Sequence, residues 1–143
     1  MELGNQASKP PSNLRVYIPH GIRGKFESEN PVCIDESVYL DNTGDIIIGK
    51  YCSISNGAML YTHEHYHNKG LNTFEAVEQK GIIVGGLVLE EDVYIGARAI
   101  ILGSVQRLAK GTVIGAGSIV TKSIENEYEI WAGNPAKKIG KRQ

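Results

Sequence analysis

The sequence predicts one all-β domain, a parallel β-helix of about five triangular coils with one extruded loop at 66–82. Three observations predict it. Aliphatic residues recur every sixth position along most of the chain, and a second column of small or β-branched residues stands four places after them. The chain also holds 17 glycines against two phenylalanines and one tryptophan, which suits many sharp corners around a narrow core. A six-residue period fits neither an amphipathic helix nor a free alternating strand. Ordinary meandering strands repeat every 8–12 residues. A short strand plus a turn does fit: three such units close a coil, and coils stack at the ~4.8 Å spacing of neighbouring strands.

Residues 1–13 are polar, carry Pro10 and Pro11 and show no period, so they read as a flexible arm before a single domain over 14–143. Val16, Ile22, Ile34, Leu40 and Ile46 then fall on one grid, with Ser28 as the polar exception. Two extra residues reset the phase to Ile48, Ile54 and Leu60, and it resumes at Ile83, Leu89, Ile95 and Ile101. A further insertion near Gln106 shifts it to Leu108, Ile114 and Val120. The second column is Val38, Cys52, Ala58, Val93, Ala99, Val105, Thr112 and Ser118. The interruption at 66–82 contains a short helical stretch that Asn72 and Glu75 can open as a capping box. An excursion of that length from a regular coil suggests a task.

Composition narrows the function. A formal net charge of −1 gives no chain-wide attraction to nucleic acid or anionic lipid. No apolar run reaches the ~20 residues of a membrane span, and the first residues lack an apolar signal core. Cys33 and Cys52 do not make a disulfide framework, so a reducing cytoplasm is the expected location.

Ile48-Gly49-Lys50-Tyr51-Cys52-Ser53, Ile95-Gly96-Ala97-Arg98-Ala99-Ile100 and the run from Ile114 to Lys122 resemble the hexapeptide-repeat acyltransferases. The ending Ala132-Gly133-Asn134-Pro135-Ala136-Lys137 is similar to the closing signature of their sugar O-acetyltransferase branch, which includes maltose and galactoside acetyltransferases. The resemblance runs from about Ile34 to Lys141. It implies a left-handed helix, against the usual right-handed crossover. It also implies a homotrimer with active sites between subunits, and acetyl-CoA as donor.

His63, His65 and His67 alternate and would share one face of an extended strand. They admit three readings: a solvated polar strand, a metal site, or a general base. Three ligands on one strand are too widely spaced to close comfortably on one ion, and the only other histidine is His20. No metal is therefore expected. Acetyl transfer from a thioester to a hydroxyl needs the hydroxyl proton removed, and imidazole accepts it near neutral pH. The resemblance places the base at the histidine of a Tyr-Thr-x-x-His arrangement. In Tyr61-Thr62-His63-Glu64-His65 this is His65, with His63 the next candidate and an acceptor contact. Glu64 points to the opposite face of the strand and is a poor partner for His65. Cys52, in the inward column, reads as a packing residue rather than a nucleophile.

By resemblance, Ala97, Ala116, Thr121 and Lys122 contact the pantetheine arm, and Lys137 suits a CoA phosphate. The bland reading of Lys137, Lys138, Lys141 and Arg142 is a solvated tail. Trp131 is expected to pack under the last coil rather than stack on adenine. Asp41 matches an aspartate that contacts sugar hydroxyls in relatives, with Asp35 a weaker candidate; each also reads as a surface carboxylate in a turn.

The expected function is acetyl transfer from acetyl-CoA to a hydroxyl of a saccharide or nucleotide-linked sugar. N-acetylation of an amino sugar is the enzymatic alternative, and a catalytically silent trimeric scaffold is the other.

Overall fold

The computed structural model describes residues 15–143; the expected arm at 1–13 lies outside the described residues. Five stacked coils build a triangular prism. The first comprises β1 (Arg15–Tyr17), β2 (Phe26–Ser28) and β3 (Cys33–Ile34), and the second β4 (Tyr39–Asp41), β5 (Asp45–Ile48) and β6 (Ser53–Ile54). The third begins with β7 (Met59–Leu60). It then leaves the prism through β8 (His63–His65), α1 (Thr73–Lys80) and β9 (Ile82–Val84), and returns as β10 (Gly86–Leu89) and β11 (Tyr94–Ile95). The fourth is β12 (Ile100–Ile101), β13 (Arg107–Leu108) and β14 (Val113–Ile114). The fifth is β15 (Ile119–Val120), a single bridge from Ile124 to Leu108, and β16 (Glu129–Gly133), after which β17 (Ala136–Lys141) folds back antiparallel.

Three parallel sheets form the faces. Face A is β1-β4-β7-β12-β15, face B is β2-β5-β10-β13, and face C is β3-β6-β11-β14-β16 with β17 added. The register runs straight down the prism, with Leu40 beside Leu60, Ile54 beside Ile95, and Leu89 beside Leu108. Each side chain of the six-residue grid therefore lands on the one in the next coil. From Leu40 to Val120 the grid residues on the prism strands are closed from solvent, as is the whole second column. Each fully buried aliphatic contributes about 1.5–3 kcal/mol by leaving water. The narrow interior explains why glycine, alanine and serine stand where larger side chains would collide.

Two grid residues lie elsewhere. Ile22 is 49% exposed, and Phe26 takes the inward place because β2 starts there, with Ser28 inward beside it. Ile83 is 45% exposed on β9, and the inward column resumes at Leu87. The excursion is thus longer than 66–82: it leaves after Leu60 and rejoins at Gly86. Its base is an antiparallel ribbon pairing His63 with Val84 and His65 with Ile82. At its tip Asn72 caps α1 and Glu75 returns the bond, the capping box read from sequence.

Residues 136–141 form a strand rather than an irregular tail, with Lys137, Lys138 and Lys141 exposed along it. Arg142 reaches Asp92 Oδ2 at 2.8 Å and lies over the Tyr128 ring, and Lys138 pairs with Glu129 at 3.0 Å. Trp131 packs against the core and donates its indole N–H to Glu129. Among the described residues no helix is long and apolar enough to cross a membrane.

Candidate active site

The edge between faces A and B gathers the histidines and Asp41. Coil by coil it presents Asp41 to Thr43, then Thr62 and His63, then Gly103 and Ser104, then Thr121 and Lys122. Backbone contacts fix this stack. Asn42 N–H donates to Tyr17 O, Tyr61 N–H to Ile101 O, and Leu102 N–H to Val120 O. Gly103 passes so close beneath His63 that an added Cβ would meet the His63 carbonyl. Only glycine admits this approach, and it sets the height at which His63 leaves the prism.

Asp41 lies behind His63. Its Oδ2 stands 2.6 Å from His63 Nδ1 and accepts the Thr62 N–H at 2.9 Å, while Oδ1 accepts both the N–H and hydroxyl of Thr43. Burial alone would raise the Asp41 carboxyl; the hydrogen bonds from Thr43, Thr62 and His63 outweigh it and hold Asp41 below the ordinary carboxylate range. An ionised carboxylate accepts only. His63 Nδ1 therefore carries a proton, and Nε2 is the ring nitrogen left free of Asp41, with a lone pair whenever the ring is neutral.

Asp41 is 0% exposed, so it is not a surface carboxylate in a turn. His63 is almost enclosed, its side chain 10% exposed, whereas Asp41, the one carboxylate in this cluster, faces His63 and not His65. Glu64 turns away, accepting the Ser104 N–H at 3.2 Å.

At the end of the prism, Thr121 and Lys122 of this edge and Trp131, Pro135, Ala136, Lys137 and Lys138 of the last hairpin on face C line a cavity of about 320 Å³. Lys122 Nζ sits 5.6 Å from the centre of the Trp131 ring. A cavity with three lysines in its lining suits a phosphate-bearing ligand.

The chain is 34% identical over 115 residues to the chloramphenicol acetyltransferase of Klebsiella aerogenes, covering 71% of this chain and 54% of that protein. A maltose O-acetyltransferase from Clostridium difficile 630 superposes with a TM-score of 0.68 and 25% identity, over 90% of this chain and 67% of that one. The chain's relatives and structural neighbours are hexapeptide-repeat acetyltransferases. A further member, from Vibrio cholerae O1 biovar eltor and solved with acetyl coenzyme A, shares the fold with a TM-score of 0.73 and 19% identity, over 91% of this chain and 69% of that one. The helix is left-handed, as in these hexapeptide-repeat neighbours. No family model matches the chain. It spans about half the length of the curated relatives it matches.

Within this hexapeptide-repeat frame the remaining candidates divide by position. Thr121 and Lys122 join His63 and His65 on the A/B edge, whereas Lys137 lies on β17 of face C, opposite Ala132. Ala97 and Ala116 follow face C, one coil above the other, with Gly117 N–H donating to Ala97 O at 2.8 Å. They occupy the C/A edge. Asp35 is on that edge too, exposed, its Oδ1 accepting the Ser37 N–H. The structure does not bring it to the histidines. Cys52 is buried and its thiol pushed up to about 11, chiefly by burial, which suits packing.

Sequence reasoning named His20 only as the remaining histidine and gave it no place in the site; its ring lies 5.0 Å from that of His63 and 5.4 Å from that of His65. It follows β1 at the A/B edge, just as His63 follows β7. That shared edge, two coils apart, was the available signal.

Proposed function

We propose that this chain transfers acetyl from acetyl-CoA directly to a hydroxyl of a saccharide or nucleotide-linked sugar, with His63 as the general base. The carrying observation is the buried Asp41 carboxylate on His63 Nδ1. The family motif points two residues on, to His65, but a base works only if its lone pair is held toward the acceptor, and Asp41 does this for His63 alone. His63 Nε2 takes the hydroxyl proton as the oxygen attacks the thioester carbonyl, and gives it to the departing thiolate. His65, on the same face of β8, adjoins the acceptor.

Lys122 and Lys137 meet the donor phosphates, with Thr121 beside the pantetheine arm. Ala97 and Ala116 stand on the other edge of face A. An arm that passes Thr121 on the A/B edge as well as Ala97 and Ala116 on the C/A edge needs a neighbouring copy for one of them, which supports a homotrimer with shared sites. Small side chains there let a thin arm lie against the wall.

The test is acetyl-CoA consumption against sugars, nucleotide sugars, amino sugars and chloramphenicol, in wild type and folded variants. A hydroxyl-bearing sugar is the expected acceptor. His63→Ala is expected to lose on the order of 10²-fold or more in turnover, and His65→Ala less. His63→Ala within tenfold of wild type would move the base elsewhere. Turnover confined to amino groups would overturn O-acetylation.

A further inference from the structure

We propose that His20, His63 and His65 bind a divalent transition-metal ion of zinc's chemistry, and that this ion inhibits acetyl transfer. One ligand nitrogen from each ring lies within 4.8 Å of the other two. Donors around a tetrahedral zinc stand roughly 3.3 Å apart, given Zn–N bonds of about 2.0–2.1 Å. The remaining closure asks for modest ring rotations, and His20 sits in an exposed loop able to supply them.

Three features favour an ion. The ligands are all imidazoles, which select zinc, copper or nickel over the oxygen-seeking calcium and magnesium. They come from two segments, the loop after β1 and the ribbon strand β8, so folding assembles the set. Asp41 stands behind His63 as the carboxylate that commonly orients a metal-bound histidine. Because Nδ1 faces Asp41, His63 can bind an ion only through Nε2.

That nitrogen is the one assigned to proton transfer, so an ion and a working base exclude each other. The inhibitory half rests on His63 being the base; the binding half does not.

The untagged 143-residue chain is titrated with zinc chloride by calorimetry, and with cobalt chloride by visible absorption. One ion per chain is expected, with tetrahedral cobalt bands. His20→Ala and His65→Ala should each weaken binding by at least about tenfold. Zinc should suppress acetyl-CoA consumption, and a chelator restore it. His20→Ala should keep its metal-free turnover and resist zinc at concentrations that halve the wild-type rate. Absence of saturable binding, or unchanged affinity in a folded His20→Ala, would overturn the site. Binding through these histidines with undiminished turnover would leave the site standing and overturn both the inhibition and the base assignment.

Discussion

Asp41 accepts from Thr43, Thr62 and His63 with no access to water, so its environment is defined by groups 21 or 22 residues away as well as nearby. Asp41→Asn keeps the shape but replaces an acceptor with a donor facing the Thr62 N–H or His63. We expect kcat to fall by on the order of tenfold or more while KM for acetyl-CoA is unmoved. A purely structural role would instead lower Tm and leave kcat of the folded fraction intact. The sequence displayed both partners, and Tyr61 to His65 matches the family motif. It did not display that Asp41 points inward, because turn residues beside Asn42 and Gly44 read as surface. Nor did it choose His63 over His65, since an alternating strand gives both the same face; only the coil above decides which one meets a carboxylate.

At the scale of elements, the ribbon of β8 and β9 carries the histidines away from the prism, and Gly103 sets their height. Gly103→Ala drives a methyl into the His63 carbonyl and should cost about 1–3 kcal/mol of stability. Turnover should fall with it, because the imidazole moves relative to the donor. Calorimetry with acetyl-CoA turnover checks both, and wild-type values for each would contradict the account. The six-residue grid exposed the coils in advance because every inward side chain has the same narrow space to fill. The excursion was legible as an interruption and its helix through Asn72 and Glu75. Its true extent was hidden, as Ile83 continues the aliphatic spacing while lying on an exposed ribbon.

For the molecule as a whole, the last strands clamp the stack. The Trp131 indole N–H and then Lys138 hold Glu129 below the ordinary carboxylate range. A carboxylate lowered on folding adds stability that is fully present above its unfolded value, about 4.3, and is lost as pH falls through the lower folded value. Glu129→Gln should therefore lower Tm at pH 7, and the gap to wild type should close in acid. A constant gap across that range would contradict the assignment. Acetyl-CoA should also raise Tm by mass action, whereas no shift at millimolar donor would favour a silent scaffold.

The central claim is that donor and base meet along the A/B edge. A crystal structure of the chain with coenzyme A tests it most directly. We expect the thiol within roughly two hydrogen-bond lengths of His63 Nε2, the pantetheine arm passing Thr121 and a neighbouring copy's alanines, and the phosphates near Lys122 and Lys137. A thiol resting on another edge, with no imidazole beside it, would contradict the account.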